Sequence, residues 1–311
     1  MKIPSLMILL LFAIPAALHG ESGVQLVVLG NAQDGGVPHI GCEKACCQPA
    51  WADPAKRRFP TCLGLIDRTA NQRWMVECTP DLAWQLQALN LVAPPSPANR
   101  AGLDGIVLTH AHIGHYAGLM LLGREALGAN GVPVYAMPRM EEFLREHGPW
   151  SQLVSLNNIE LKSLADGTPT ALNARVKVVP LMVPHRDEFS ETVGFRIIGP
   201  NRTALFIPDI DKWEHWEEPI EQAIEQCDLA FLDGTFFSAD ELPHRDMDEI
   251  PHPLIVESLK RFAKLPPAER DKIHFVHLNH SNPVLNPDAD ATQQVRAAGM
   301  HVARTGMVFE L

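Results

Sequence analysis

The feature that most constrains this chain is a group of three histidines directly after an apolar segment. Gly105 to Thr109 predicts a β-strand, and His110, His112 and His115 follow within six positions. His110 and His112 are two positions apart and cannot share one face of an α-helix, but a loop leaving a strand can turn both rings toward one point. Three histidines are the usual protein ligands of a catalytic Zn²⁺ that keeps a position open for water. The segment therefore predicts a metal site rather than a solvated turn.

Three more candidate ligands stand at the ends of later apolar runs. His185 ends Val183-Pro184-His185, Asp209 ends Phe206-Ile207-Pro208-Asp209, and His277 ends Phe275-Val276-His277. Functional residues of α/β proteins gather at the carboxyl ends of strands. The pattern therefore predicts that these side chains join the three histidines, with His280 and Asp211 as the rival positions.

Strand and helix signals alternate along the whole chain. The last third predicts helices after Pro253 and from Pro287, and an apolar helix is expected near Gly118. No period of about 20 to 50 residues suggests a repeat array. The order predicts an α/β sandwich with helices outside two sheets. Apolar runs predict strands at residues 24–29, 63–67, 74–77, 105–109, 132–136, 176–183, 193–198, 204–207, 229–233 and 273–278, and a closing strand pair within 301–311.

Composition narrows the class of partner. The 311 residues are 46% hydrophobic and 20% charged, which is typical of a folded, core-forming protein. Lys and Arg number 26 against 37 Asp and Glu, a net charge of −11, and no long basic run occurs. This balance argues against a nucleic-acid partner and leaves a small-molecule substrate as the expected ligand. The oligomeric state stays open.

The start of the chain resembles a secretory signal peptide. Lys2 precedes the apolar run from Leu6 to Ala17, and small residues such as Gly20 precede the polar stretch that begins at Glu21. The run is shorter than the roughly 20 residues that a membrane-spanning helix needs. We therefore expect residues 1–20 to be a signal peptide and residues 21–311 to form a single domain outside the cytoplasm, periplasmic or secreted, without stable membrane insertion.

The chain has six cysteines, and three of them stand close together. Cys42, Cys46 and Cys47, with His39 just upstream, have ligand types that suit a structural zinc site. The spacing differs from Cys-x-x-Cys, and adjacent Cys46 and Cys47 fit one ion poorly. Disulfides and free buried thiols remain alternatives, because an exported protein with an even number of cysteines can form disulfides.

The ordered set of histidines and aspartate resembles the metallo-β-lactamase superfamily: a strand, His-x-His-x-x-His, a later His, an Asp after a strand, and a final His. Within it, several segments resemble the coenzyme PQQ synthesis protein B family. These are Val28-Leu29-Gly30 with Gly35-Gly36-Val37-Pro38, Thr79-Pro80-Asp81-Leu82, Leu232-Asp233-Gly234-Thr235, His277-Leu278-Asn279 with Asn282-Pro283, and the ending from Gly306-Met307 to Leu311.

The resemblance implies a fold and a ligand set. The fold is the metallo-β-lactamase αββα sandwich, an α/β architecture of two mixed sheets with helices on the outer faces. The implied metal ligands are His110, His112 and His185 for a first ion, His115 and His277 for a second, and Asp209 as the bridge and as a catalytic residue. The implied cofactor is Zn²⁺, as one or two ions, with iron as an alternative.

The chain departs from the family pattern in two places. Dinuclear hydrolases of the superfamily carry an Asp where this sequence has Gly114, so the resemblance predicts that the second site lacks its carboxylate and is weak or empty. Lys44 stands where the PQQ-type proteins have the middle Cys of Cys-x-Cys-x-x-Cys, which weakens the case for a structural zinc.

His252, before a predicted helix, matches a catalytic histidine of related phosphodiesterases. Such a residue can donate a proton to a leaving group, and the alternative is a plain surface loop residue.

Three functions follow. The leading one is an exported, metal-dependent hydrolase that uses a metal-activated water. The alternatives, which the PQQ resemblance suggests, are an iron-dependent oxygenase acting on a tyrosine-derived precursor of PQQ, and a protein that binds or transports PQQ or its precursor. Export disfavours the oxygenase, since a biosynthetic step in the cytoplasm needs a cytoplasmic enzyme.

Overall fold

The computed structural model describes residues 23–97, 99, 101–243, 245 and 250–311. The predicted signal peptide, residues 1–20, lies outside these ranges. Within them, no helix is long and apolar enough to cross a membrane.

Two seven-stranded mixed sheets form the centre of the fold. The first contains β1 (Val24–Gly30), β2 (Cys62–Asp67), β3 (Gln72–Val76), β4 (Gly105–Val107), β5 (Val132–Ala136), β6 (Ile159–Ser163) and β14 (Val308–Glu310), in the order β14-β1-β2-β3-β4-β5-β6. The second contains β7 (Thr170–Ala171), β8 (Lys177–Met182), β9 (Val193–Ile198), β10 (Thr203–Ile207), β11 (Leu229–Asp233), β12 (Ile273–Val276) and β13 (His301–Val302), in the order β13-β12-β11-β10-β9-β8-β7.

The strands have continuous apolar sequences because both faces of each sheet are buried. In β1, Leu26 and Val28 face the layer between the sheets, whereas Val27 and Leu29 face the outer layer of the first sheet. In the second sheet, Phe206 packs between the sheets while its neighbours in β10 pack outward. The alternation of side chains along a strand thus produces three apolar layers.

Helices cover the outer face of each sheet. α2, α4 and α5 pack on the first sheet, and α6, α7 and α9 pack on the second. This arrangement confirms the predicted αββα sandwich. The α-helices are α1 (Gln48–Ala52), α2 (Leu82–Val92), α3 (Ile113–Tyr116), α4 (Pro138–Glu146), α5 (Trp150–Ser155), α6 (Ile220–Glu225), α7 (Ile255–Phe262), α8 (Pro267–Arg270) and α9 (Asp290–Ala297). Short 3-10 helices span Pro54–Lys56, Ala117–Leu122, Trp213–His215, Ala239–Glu241 and Pro283–Leu285.

Two expectations about local structure are wrong. The last two strands do not pair with each other: β13 pairs with β12 in the second sheet and β14 pairs with β1 in the first. The chain therefore crosses between the sheets at its end. The helix expected near Gly118 starts inside the histidine segment as α3 and continues as a 3-10 helix from Ala117, so His115 lies on a helical turn.

One edge of the sandwich collects the carboxyl ends of strands from both sheets. β3 and β4 run parallel in the first sheet, and β10, β11 and β12 run parallel in the second. The segments that leave these strands carry Glu77, His110, Asp209, Asp233 and His277. The topology therefore brings residues from distant parts of the chain to one place, as expected for this fold class.

Candidate metal centre

The carboxylate of Asp209 lies at the middle of a cluster of histidines and is 3% exposed. Its Oδ2 is 3.4 Å from His110 Nε2 and 3.3 Å from His185 Nε2. The same oxygen is 3.8 Å from His115 Nε2 and 4.0 Å from His277 Nε2. One oxygen therefore faces four imidazole nitrogens that come from three separate parts of the chain.

The cluster contains overlapping sets of potential ligands, and within each set the ligand atoms lie within 4.8 Å of one another. The first set consists of His110, His112, His185 and Asp209, and the second consists of Asp34, His115 and His277. A third, Asp209, Asp233, His252 and His277, shares one residue with each of them. Zn–N bonds of about 2.0 to 2.1 Å in a tetrahedron place neighbouring ligand atoms about 3.3 Å apart. The 2.9 Å between His110 Nε2 and His112 Nδ1 and the distances to Asp209 are close to that spacing.

In the first set, the ring nitrogen that faces away from the cluster is held by another side chain. His110 Nδ1 pairs with Thr109 Oγ1 at 2.9 Å, and that hydroxyl donates to Glu77 at 2.6 Å. His185 Nδ1 pairs with Asp211 at 3.1 Å. Anchoring one nitrogen as an N–H donor leaves the lone pair of the other nitrogen directed into the cluster.

The second set is anchored in the same way. His115 Nδ1 pairs with the buried Glu77 at 3.0 Å. His277 Nδ1 pairs with Thr235 Oγ1 at 2.9 Å, and this hydroxyl donates to Asp233 at 2.7 Å. Glu77 and His277 also have left-handed backbone conformations, with φ of 82° and 60°. This conformation is strained for residues other than glycine, and strained residues are concentrated at functional sites.

Buried polar atoms without partners show that the cluster fits a cation. Among the described residues, His115 Nε2, His185 Nε2 and Asp209 Oδ1 are buried and make no hydrogen bond. His115 Nε2 and His185 Nε2 lie within 3.4 Å of carboxylate oxygens, yet without hydrogen-bond geometry. Leaving such groups buried and unsatisfied costs about 1 to 3 kcal/mol each, a cost that coordination of a cation removes.

Electrostatics favour anionic carboxylates in the cluster. Burial by itself raises the pKa of Asp209, but the charges of His252 and His277 and further hydrogen bonds hold that pKa well below its usual range. Burial also acts on His110, and together with the charge of His115 it keeps the pKa of His110 well below its usual value. These directions favour an anionic Asp209 beside a neutral His110, the states of these two residues that bind a metal.

His252 lies beside the ligands and is 5% exposed, so the alternative of a surface loop residue is wrong. Its Nδ1 is 2.9 Å from Asp233 Oδ2 and 3.2 Å from Asp209 Oδ1. Burial lowers the pKa of His252, but the charges of Asp233 and Asp209 outweigh burial and raise it to about 9. Among the described residues, its Nε2 makes no hydrogen bond. This nitrogen is free to carry a proton.

The structure corrects the inference that the second set lacks a carboxylate. Asp34, in the loop after β1, places Oδ1 3.2 Å from His115 Nε2 and 3.4 Å from His277 Nε2. The loop that carries it lies directly against Gly114.

The two alternative ligand positions, Asp211 and His280, do not belong to the ligand sets of the histidine cluster. Asp211 contacts His185 from outside the cluster and does not replace Asp209. His280 belongs to a different group of residues, described below.

Glu77, Asp233 and Thr235, which position the ligands, were not predicted from the sequence. Glu77 follows β3 and Asp233 ends β11, so the strand-end argument that selected Asp209 applies to both. Thr235 follows Asp233 in the same loop. No comparable local signal marks Asp34, which reaches the cluster only through the course of its loop.

A second potential metal site contains Cys42, Cys46, Cys47 and His280, with ligand atoms within 4.8 Å of one another. The cysteines form no disulfides in the described residues, and Cys42 Sγ is 3.8 Å from Cys46 Sγ. Zn–S bonds of about 2.3 Å in a tetrahedron place sulfur atoms about 3.8 Å apart. His39 is not in the group; its backbone N–H donates to Cys47 Sγ at 3.3 Å. Although Cys46 and Cys47 are adjacent in the sequence, their sulfur atoms lie close enough to share one ion.

Comparison with known proteins gives consistent matches. Coenzyme PQQ synthesis protein B of Methylorubrum extorquens strain PA1 is 26% identical over 309 residues, covering 93% of this chain and 100% of that protein. The protein of the same name from Xanthomonas axonopodis pv. citri is 24% identical over 310 residues, with coverage of 93% and 100%.

Solved structures share the fold. Zn²⁺-bound PqqB from Methylobacterium extorquens superposes with a TM-score of 0.78 at 23% identity and covers 92% of this chain and 100% of that one. A diphosphatase from the PhnP family superposes with a TM-score of 0.62 at 23% identity, with coverage of 93% and 97%.

A family model described as the beta-lactamase superfamily domain matches residues 72–304, which include every histidine of the cluster. The chain therefore belongs to the beta-lactamase superfamily, with the metallo-β-lactamase fold, and it resembles coenzyme PQQ synthesis protein B.

Proposed function

We propose that this protein is a metal-dependent hydrolase of a small-molecule substrate. The observation that carries the proposal is the convergence of five imidazoles and one carboxylate, in which another side chain holds the outward-facing nitrogen of each imidazole. These ligands are His110, His112, His115, His185, His277 and Asp209. Pre-positioned ligands of this kind make a metal site rigid before substrate arrives.

A divalent ion at such a site supplies a water whose pKa falls from about 15.7 toward 7, and it polarises a carbonyl or phosphoryl oxygen. The chain's own residues do the rest. Asp209 orients the imidazoles that surround it, and Glu77 and Asp211 accept the N–H of the opposite ring nitrogen, which fixes the ring orientation and the tautomer whose free nitrogen faces the cluster.

His252 is the proposed general acid. Asp233 accepts from Nδ1 at 2.9 Å and fixes the plane of the ring. Nε2 can then hold a proton and deliver it to the oxygen of the leaving group when the scissile bond breaks. General acids of this type contribute about 10² to 10⁴ in rate.

Zn²⁺ is the proposed cofactor, as one or two ions at the histidine cluster. Imidazole and carboxylate ligands suit zinc, and the Cys42, Cys46, Cys47 and His280 group suits a separate structural zinc. Iron is the alternative at the histidine cluster, because histidines with one carboxylate also suit non-haem iron.

We further propose that residues 1–20 direct export, which rests on the apolar run from Leu6 to Ala17. Intact mass of the protein from the periplasm or medium of its host tests this. A mass that starts near Glu21 is expected, whereas a cytoplasmic protein that retains residues 1–20 contradicts export.

The activity test compares purified wild type with His110→Ala. Both are loaded with Zn²⁺ and assayed on a panel of chromogenic phosphodiester, phosphomonoester, thioester and lactone substrates. Turnover by wild type on at least one class, lost in the variant, supports the proposal. Equal rates of the two proteins on every substrate contradict it.

A role in PQQ biosynthesis is the second candidate, because similarity to coenzyme PQQ synthesis protein B extends over 93% of the chain. An oxygenase would hold iron and consume O₂ with a tyrosine-derived precursor. A carrier would bind PQQ without turnover. Elemental analysis of protein purified without added metal, followed by an oxygen electrode and a PQQ binding titration, separates these two functions from hydrolysis.

A further inference from the structure

We propose that Asp34 supplies the carboxylate ligand of a second metal ion, in place of the aspartate that the histidine segment lacks at Gly114. The proposal rests on the metal centre of the proposed function and concerns which residue completes it. It moves one ligand from the histidine segment to the loop after β1, about eighty positions earlier in the sequence.

The Asp34 carboxylate lies where a ligand of the second ion would lie. Asp34 Oδ1 is 3.2 Å from His115 Nε2 and 3.4 Å from His277 Nε2. The other nitrogen of each ring is occupied by Glu77 or Thr235, so both free nitrogens point toward Asp34. Among the described residues, His115 Nε2 is buried and without a hydrogen bond. Three ligand atoms therefore surround one point.

Asp34 occupies the space that a side chain at position 114 would need. A Cβ built on Gly114 would lie 2.2 Å from Asp34 Oδ1 and 2.6 Å from Asp34 Cα. Both distances are far below van der Waals contact, so a side chain at position 114 and Asp34 in its present place exclude each other. With Asp34 in its present place, position 114 has no room for a side chain, so only one of the two positions can supply the carboxylate.

The loop after β1 holds Asp34 against the strand end that carries His277. The backbone N–H of Gln33 donates to Leu278 O at 2.8 Å, and Leu278 N–H donates to Asn31 O at 2.9 Å. The N–H of Gly36 donates back to Gln33 O at 2.7 Å, and Gly36 has a φ of 63° that favours glycine. The residues on both sides of Asp34 are therefore fixed relative to His277.

Exposure sets Asp34 apart from the other carboxylate ligand. Its side chain is 36% exposed, whereas that of Asp209 is 3% exposed. The Asp34 carboxylate would contact solvent on one side and the second ion on the other. We therefore expect the second ion to depend on the loop after β1 and to exchange faster than the first.

The experiment measures zinc bound per chain in Asp34→Ala and Asp34→Asn. Protein is stripped with a chelator, titrated with Zn²⁺, dialysed and analysed for zinc. Wild type should hold one more ion than either variant, and the affinity for that ion should fall by more than about 100-fold. Gln33→Ala is the matched control, because it alters the same loop without removing a ligand. Asp34→Asn keeps the shape of the side chain and remains informative if Asp34→Ala does not fold.

A second measurement uses Mn²⁺ in place of zinc and records the electron paramagnetic resonance spectrum. Wild type and Gln33→Ala should give the spectrum of a coupled pair of ions, and Asp34→Ala should give that of an isolated ion. Unchanged zinc content and an unchanged spectrum in Asp34→Ala would overturn the proposal. So would loss of both ions from a folded variant, since Asp34 contacts only the second set.

Failure of the proposed function has a different outcome. If His110→Ala binds as much zinc as wild type, the histidine cluster is not a metal centre, and the proposed function and the role of Asp34 fail together. If His110→Ala loses zinc and Asp34→Ala does not, only the role of Asp34 fails.

Discussion

The histidine cluster and the cysteine group are both potential metal sites, but they are built differently. Around Asp209, each ligand is deeply or partly buried and is held by a second side chain such as Glu77 or Asp211. In the cysteine group, Cys46 is exposed, and the three thiols mainly contact one another and nearby backbone. One site has its ligands oriented in advance, whereas the other draws its ligands from a loop and one distant histidine.

The difference indicates different tasks. Pre-oriented ligands around a buried carboxylate allow an ion to do chemistry without rearrangement of the site. Four ligands that include three cysteines are typical of a closed structural zinc. An ion there would join the loop at residues 39–47 to the segment that carries His280. We therefore expect changes in the histidine cluster to affect turnover and changes in the cysteine group to affect stability.

The largest effect is expected from His110→Ala. This removes a ligand that faces both Asp209 and His112, and an open site cannot spare it. Activity and affinity for the first ion should fall by more than about 100-fold, which exceeds the loss usual for an outer partner. Metal analysis and kcat measure this, with His301→Ala as the control, because His301 forms an exposed pair with Asp271 at 2.9 Å. If His110→Ala keeps its metal, His110 is not a ligand, and the proposed difference between the two sites is wrong.

The next effect is expected from His252→Gln. If His252 donates a proton, kcat should fall by about 10² to 10⁴ on a substrate with a poor leaving group. The loss should shrink for a leaving group such as nitrophenolate, which needs no proton. Metal content should stay at the wild-type value. An equal loss on both kinds of substrate would show that His252 is structural, and loss of metal would make it a ligand.

A smaller effect is expected from Asp211→Asn. Asp211 touches His185 Nδ1 at 3.1 Å and lies outside the cluster, so it positions a ligand. The neutral amide weakens the hydrogen bond from the ring. Affinity for the first ion or activity should fall about 10- to 100-fold. Full activity with unchanged zinc affinity would mean that the orientation of His185 does not depend on this carboxylate.

The residues of the histidine cluster differ in how far the sequence predicted them. Strand ends are local signals, so His185, Asp209 and His277 could be selected from short apolar runs, and the two-sheet sandwich followed from the order of those runs. Asp34 could not be selected, because its contact with His277 joins positions 243 apart. The route of the loop after β1 depends on tertiary hydrogen bonds to Leu278, which no pattern near Asp34 encodes.

Changes in the cysteine group should lower stability and leave turnover unchanged. Cys46→Ser replaces an exposed thiol of the group and removes a soft ligand. We expect loss of about one zinc per chain and a lower melting temperature, whereas kcat with metal at the histidine cluster stays unchanged. Cys227→Ser is the control for zinc content, because Cys227 lies outside the cysteine group. If Cys46→Ser lowers kcat as much as it lowers stability, the two sites are coupled and the division of tasks is wrong.

The smallest change in metal content is expected from Gly114→Asp, which places an aspartate where related dinuclear hydrolases carry one. If Gly114 simply left the second site without a carboxylate, the variant would bind an additional ion. The structure predicts otherwise, because the new Cβ would lie 2.2 Å from Asp34 Oδ1 and 2.6 Å from Asp34 Cα.

The two carboxylates compete for the same place, so Gly114→Asp should hold no more zinc than wild type. The loop after β1 must shift to admit the new side chain, and overpacking of this kind costs about 1 to 3 kcal/mol of stability. The melting temperature should fall, and Gly148→Asp, at an exposed turn with nothing within 4 Å of its added Cβ, controls for the added charge. A rise in zinc content by one ion per chain would show that Asp34 is not a ligand and that the second site does lack its carboxylate.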